Sequence, residues 1–364
     1  MASFPFFQKL DKVLALAVVS LSFFSLLELT GMAQNNAVYA LYQHKQILFI
    51  AFGIATMFAV SFIDYRFFKN NSYAVMLLYV LSLVFLALLL VLGSKVKGAT
   101  SWFHLGEFAF GPIEITKIAI IMVLAKYFSA RHIEVHRVFH VVLSFAYVAI
   151  PLALILLQPD LGSAIIVFSI WFGILFFSGM SKKHIAILML LGVIVSTFAW
   201  TNVLKPYQKD RILTFLDVYR DPQGSGYNVI QSMIAIGDGG VFGRGLGYGS
   251  QVQLGFLPES HTDFMFASIS EEFGFAGVAL IFFLLSVIFW RITRIALEAH
   301  NNFAKLFCVG MIMLLFVQVV INMGMNLGIM PVTGIPFPFI SYGGSSLISL
   351  FIGIGLIQSI RVRG

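Results

Sequence analysis

FMFASISEEFGFAGVALIFFLLSVIFW, residues Phe264 to Trp290, is a run of 27 residues whose only charged side chains are Glu271 and Glu272. At about 1.5 Å of rise per residue, a helix of that length exceeds the roughly 30 Å hydrocarbon core of a bilayer. Working outward, comparable runs stand near Val13–Leu29, Ile47–Ile63, Tyr73–Leu92, Ile113–Phe128, Val138–Leu157, Gly162–Gly179, Ile185–Leu204, Leu306–Gly328 and Phe339–Ile360. The pattern predicts an all-α polytopic membrane protein of about ten transmembrane helices. The fourth run is short and polar at its start, so it is expected to be partly re-entrant or to lie within the bundle. Residues 1–364 read as a single transmembrane unit, and 205–263 form its one long polar loop.

Composition agrees. The 364 residues are 59% hydrophobic and 11% charged, against about 25% charged in soluble domains. The net charge of +7 is a topology signal here, so no nucleic-acid partner is expected. Lys9, Lys12, Arg66, Lys69, Lys126, Arg131, Arg137, Lys182, Lys183, Arg291, Arg294, Lys305, Arg361 and Arg363 fall on one side of the alternating runs, and only Lys45, Lys95 and Lys97 in the other side's short loops. That asymmetry predicts a multi-pass protein of a bacterial cytoplasmic membrane with both termini cytoplasmic and loop 205–263 outside. The loop's own basic residues do not oppose this, because long loops translocate largely regardless of charge. The first run reads as a retained span with no cleavage signature after it. Cys308, the sole cysteine, is expected to be a buried small side chain, with neither disulfide nor thiolate metal site.

Ionisable groups within the apolar runs ask for partners or water. Glu28, near the end of the first run, is expected to reach the outer interface and receives no role. Glu114 and Lys117 stand at i, i+3 on one helical face and predict an internal ion pair. Glu271 and Glu272 are adjacent, so only one of them is expected to line a cavity. Gln318, Asn322 and Asn326 form a polar stripe at i, i+4, i+8, read first as interhelical hydrogen bonding. Pro336, Pro338 and the run from Ser341 to Ser346 make either a tight packing corner or a polar wall.

Within the loop, Tyr227, Ile230, Met233 and Ile234 share one helical face and predict an interfacial amphipathic helix. The glycine-rich segment from Gly237 to Gly247 lacks the strand-turn-helix setting of a dinucleotide fingerprint. Flexible turns are expected there, with Arg244 the one side chain able to hold an anion. The loop ends on Glu259, His261 and Asp263, three titratable groups at every second position. A metal site would lack clear further ligands. An acid-base site is more economical, since a carboxylate at a partly desolvated boundary can serve as a base.

Several segments together closely resemble the shape, elongation, division and sporulation family: Gln158–Ser163, Asp221–Tyr227, Gln231-Ser232, Leu257–Phe264 and Pro336–Ser346. They run in family order from about Trp102 to the C-terminus. Gln251–Leu254 and Pro331–Pro336 look like the elongation branch, with the division branch as the alternative. The resemblance implies a peptidoglycan glycosyltransferase that polymerises lipid II beside a class B penicillin-binding protein and other elongation-complex membrane proteins. It places the essential aspartate on Asp263, the cavity pair on Glu114 and Lys117, and the loop tryptophan on Trp102. Asp160, Arg211, Arg244, Glu259, His261 and Ser341 complete the candidate substrate contacts. A divalent cation, Mg or Mn, is a candidate counter-ion for the leaving pyrophosphate, with no protein ligands assigned. The chain departs from the family at Ser101, where an Arg often stands, and at Gly111–Glu114, where Gln-Pro-Ser-Glu is usual. The rival readings are a flippase or transporter of lipid-linked precursors, and a non-catalytic scaffold for cell-wall enzymes.

Overall fold

The computed structural model describes residues 8–34, 37–96, 99–105, 108–130, 138–202 and 226–364, with scattered positions between 203 and 225. Each of the ten apolar runs is a helix: α1 (Lys12–Ala33), α2 (Ala37–Phe62), α4 (Ser72–Leu92), α5 (Pro112–Ser129), α6 (Val138–Leu157), α7 (Leu161–Phe177), α8 (Lys182–Asn202), α11 (Met265–Glu298), α12 (Asn302–Asn326) and α13 (Gly344–Arg363). Between them lie the short α3 (Tyr65–Asn70) and, inside the long loop, α9 (Tyr227–Asp238) and α10 (Ser250–Gln253). Among the described residues, seven helices are long and apolar enough by themselves to cross a membrane: α1, α2, α4, α6, α11, α12 and α13. The protein is a multi-pass membrane protein.

The fourth apolar helix, α5, is the hub. Buried along almost its whole length, it packs against α4, α6, α7, α12 and α13. It can therefore carry charge without exposing it to lipid. The end marked by the basic residues is clamped by polar contacts: Asp11 caps α1 and pairs with Arg291 of α11 (Nε to Oδ2, 2.7 Å), while Gln358 of α13 bonds both the N–H and the carbonyl of Asp11.

The sequence reading missed one element. Ser94–Val96, Ala99–Leu105 and Phe108–Phe110 form a three-stranded antiparallel sheet, β1-β2-β3, at the opposite end. Its Thr, Val, Phe and Trp content is strand-like, but strands this short are hidden between two apolar spans. The helix α13 also starts later than the apolar run predicted, because residues 339–343 form a turn with Phe339 at φ 65°.

The glycine-rich segment is not a flexible turn. Helix α11 breaks at Gly274 (φ 64°, ψ −164°), a conformation essentially confined to glycine. At the break, the carbonyls of Glu271 and Glu272 accept from the N–H groups of Arg244 and Gly245 (2.9 and 3.0 Å). The N–H groups of Phe275 and Ala276 donate instead to Gly240 and Val241 (2.9 and 3.0 Å). The glycine segment is thus spliced into the helix, supplying the bonds a continuous helix would have made to itself. Close approach demands the glycines: a Cβ on Gly239, Gly243 or Gly274 would stand 1.9, 2.1 or 2.3 Å from main-chain atoms of the other strand of the splice.

Candidate functional site

Asp263 sits at the end of a turn that is fastened from two sides. Glu259 adopts φ 54°, and its carbonyl accepts the N–H groups of Thr262 and Phe264 (3.1 and 3.2 Å), which curls the chain into α11. The Thr262 hydroxyl donates to the Glu259 carboxylate at 2.9 Å. From α12, Asn322 Nδ2 and Asn326 Nδ2 both donate to the main-chain oxygen of Asp263, at 3.0 and 3.1 Å. Asn322 also donates to the Ile335 carbonyl (2.7 Å), and Asn326 Oδ1 accepts from Ala267 N–H (3.2 Å). The hydrogen-bonding reading of the polar stripe therefore holds for these two asparagines, and what they hold is Asp263. One turn further into the bundle, Gln318 is fully buried, with neither side-chain atom bonded among the described residues.

The segment before α13 closes the turn from the other side. Ser341 Oγ donates to the Thr262 carbonyl (2.6 Å) and accepts the Phe337 N–H (2.8 Å), and Tyr342 N–H donates to the His261 carbonyl (2.9 Å). Ser341 was a candidate substrate contact. Its buried hydroxyl is already committed to two main-chain partners, so its role is to position the turn. Between the two fastenings, the Asp263 carboxylate faces Gly334, with Oδ2 3.6 Å from where a Cβ there would lie. Asp263 stays partly exposed.

His261 lies in an aromatic box, stacked on Tyr42 (ring centroids 4.5 Å apart) with Tyr39 and Tyr342 at 5.7 and 5.8 Å. Burial, reinforced by the neighbouring Tyr42, pushes the Tyr342 phenol up to about 12. It remains a protonated donor at any physiological pH.

Deeper in the bundle, Pro112 opens α5 and places Glu114 in its first turn. There Lys117 Nζ bonds Glu114 Oε1 at 2.7 Å, with both side chains buried. The i, i+3 spacing thus makes the internal ion pair that the sequence predicts. The second Glu114 oxygen has no hydrogen-bond partner among the described residues. Asp160 caps α7, accepting from the N–H and hydroxyl of Ser163 (2.9 and 2.8 Å). Burial pushes the Asp160 carboxyl above the ordinary aspartate value, opposed by the two Ser163 bonds and the Lys117 charge and assisted by Glu114. Glu114, Lys117 and Asp160 therefore form one electrostatic unit built from α5 and α7.

Trp102 of β2 lies half-buried against Gly111, its ring 3.1 Å from where a Cβ would stand. The sheet is tied to α13 by Ser345, whose Oγ accepts Gly111 N–H (3.0 Å) and donates to the Ala109 carbonyl (3.2 Å). Trp102 is thereby fixed beside the α5 start that carries Glu114.

Two expectations need correction. Arg244 is not an open anion site: its guanidinium holds both oxygens of Asp238, which lies six residues earlier and is itself kept below the usual aspartate range by that bond. Glu28 does not reach the interface. It is fully buried, with neither carboxylate oxygen bonded among the described residues. Glu271 and Glu272, adjacent and so on different faces of the helix, are both buried and meet different partners. Glu271 accepts the N–H of Gln251 (2.8 Å) and Val252 (3.3 Å) at the start of α10, whereas Glu272 turns to α1, where Gly31 leaves room for its Oε2. Closure of the Gly247 main chain over Gly31 is what seals this acidic corner. Arg211 lies outside the described residues. Of the predicted amphipathic face of α9, Ile234 is exposed and Tyr227, Ile230 and Met233 are half-buried, while Val229, Ser232 and Ala235 pack inward.

Among the described residues, no three or more His, Cys, Asp or Glu side chains converge as a metal site. The chemistry on view is a fixed, partly exposed carboxylate at the start of α11, and a buried cation with two acids built from α5 and α7.

Those features define a polytopic membrane protein that gathers titratable side chains where its long loop meets the bundle. The chain belongs to the cell cycle protein family FTSW_RODA_SPOVE, whose profile matches residues 7–363. It is 36% identical over 314 residues to the peptidoglycan glycosyltransferase MrdB of Escherichia coli K12, covering 86% of this chain and 84% of that protein. It is 38% identical over 319 residues to stage V sporulation protein E of Bacillus subtilis, covering 87% and 86%. Among solved structures, Thermus thermophilus RodA superposes with a TM-score of 0.71 at 29% identity, over 97% of this chain and 96% of that one. A chain from a peptidoglycan synthase complex, described as coordinating polymerisation and crosslinking, gives 0.80 at 35% identity over 97% of both.

Proposed function

We propose that the chain is a peptidoglycan glycosyltransferase that polymerises lipid II, with Asp263 as general base. The observation that carries the assignment is the fastening of Asp263 by Asn322, Asn326 and the Ser341 turn while its carboxylate stays partly exposed. A base must be fixed relative to the proton it takes, and well-placed general bases contribute about 10² to 10⁴-fold.

An acceptor sugar hydroxyl attacks the anomeric carbon of the donor, and its proton passes to an Asp263 oxygen. The bond from that carbon to the diphosphate oxygen breaks, and undecaprenyl pyrophosphate leaves with the electron pair. Lys117 is the cation best placed to face the departing diphosphate, since its charge is buried and therefore weakly screened. Arg244, held by Asp238, drops out of that role, and Arg211 stays a candidate. A divalent cation, Mg or Mn, enters as part of the substrate, bound to its diphosphate. His261, Glu259, Asp160 and Trp102 are proposed to line the sugar and diphosphate path.

The likeness to a peptidoglycan synthase complex supports a class B penicillin-binding protein as partner, with other elongation-complex proteins around it. The excess of Lys and Arg on one side supports cytoplasmic termini and an outward Asp263. Purified protein with lipid II, with and without partner and with and without chelator, tests the reading. Glycan strands are expected. Movement of lipid II between leaflets with no polymer would establish the flippase reading instead, for which the buried Glu114–Lys117 pair is the motivating feature. Neither polymer nor movement would leave the scaffold.

A further inference from the structure

The splice between the glycine segment and α11 leaves apolar side chains facing outward. Phe242 is 84% exposed, Val241 60% and Phe275 68%. Phe275 N–H bonds Gly240 and Ala276 N–H bonds Val241, so these three side chains belong to one patch. The patch continues down α11, where Phe275, Ala279, Phe282, Phe283, Ser286 and Trp290 are exposed along one helical stripe.

The depth of the patch follows from two independent helices. Asp11 and Arg291 pair at the basic end and set α1 and α11 to a common level. Along α11, sixteen residues separate Arg291 from Phe275, roughly 24 Å of rise. Along α1, nineteen separate Lys12 from Gly31, about 28 Å. Gly31 in turn touches Gly247, the far end of the glycine segment. Both rulers set the segment at the far edge of a hydrocarbon core about 30 Å thick, with Phe275 and its neighbours just inside it.

We propose that Val241 and Phe242 insert into the acyl chains of the leaflet on the Asp263 side and anchor the long loop in the bilayer. Lipid is the occupant because the patch is continuous with the lipid-facing stripe of α11 and lies at that depth. The splice gives the anchor its mechanical meaning: four main-chain bonds connect the inserted tip to the helix that begins two residues after Asp263. The inference rests on the membrane placement of α1 and α11 and not on the glycosyltransferase reading.

A fluorophore on Phe242→Cys in proteoliposomes tests it. Cys308 is the only native cysteine and is fully buried, so it escapes labelling. Phospholipid with a nitroxide high on the acyl chain is expected to quench the probe severalfold more than the same lipid labelled at the chain end, and aqueous iodide only weakly. Strong iodide quenching with weak lipid quenching would put the segment in water and overturn the proposal. Protection from both quenchers would overturn it too, by showing that protein covers the patch.

Discussion

Asn322 Nδ2 lies 3.0 Å from the main-chain oxygen of Asp263, so α12 holds the main chain from which the carboxylate projects. Replacing Asn322 with Ala would leave the Ile335 carbonyl without its side-chain donor, at about 1–3 kcal/mol for a buried group so orphaned, and the Asp263 carbonyl with Asn326 as its remaining side-chain donor. Small displacements of a catalytic group are costly, on the order of 10²-fold for about 1 Å. We expect Asn322→Ala to lower kcat by about ten- to a hundredfold with KM little changed. An unchanged kcat in steady-state polymerisation would show that Asn322 does not position the base.

The glycine splice makes a graded prediction. Gly243→Ala and Gly274→Ala would each drive a Cβ to 2.1 or 2.3 Å from main-chain atoms at positive φ, and overpacking of this kind costs about 1–3 kcal/mol or more. Gly237, with nothing within 4 Å of its Cβ position and no positive φ, should accept Ala without loss. Thermal unfolding of the three variants in detergent checks the order.

Lys117 and Glu114 should show the asymmetry of a buried pair. Lys117→Met leaves the Glu114 carboxylate without its cation and should destabilise by about 3–5 kcal/mol. Adding Glu114→Gln should recover most of that stability while polymerisation stays lost. Recovered activity in the double variant would remove Lys117 from the chemistry.

Asp160 sets a pH dependence. Burial holds its carboxyl above the ordinary value of about 4, so the folded chain binds the proton more readily than the unfolded one. Its contribution to stability therefore falls as pH rises from about 4 through the raised value and is constant above it. Asp160→Asn keeps the capping oxygen and should flatten that stretch of the melting-temperature profile relative to wild type.

Much of the fold was legible because a bilayer enforces length and apolarity, and the ten runs became ten helices. The short strands around Trp102 carry no such enforcement. At the site, Glu114 and Lys117 could be paired by spacing because they share one helix. Glu272 and Gly31 could not, since their meeting depends on the packing of α1 against α11. Arg244 looked available because its partner Asp238 reaches it only through the turn. The fastening of Asp263 by Asn322, Asn326 and Ser341 joins segments some sixty to eighty residues apart; the periodicity of α12 marked the two asparagines as donors but not the carbonyl they hold.

The most direct test is the initial rate of glycan polymerisation by purified Asp263→Ala and Asp263→Asn proteins, set beside wild type at matched thermal stability. With the base removed and the scaffold intact, we predict rates lower by at least about 10²-fold for both. Rates within a few-fold of wild type would contradict Asp263 as the catalytic base.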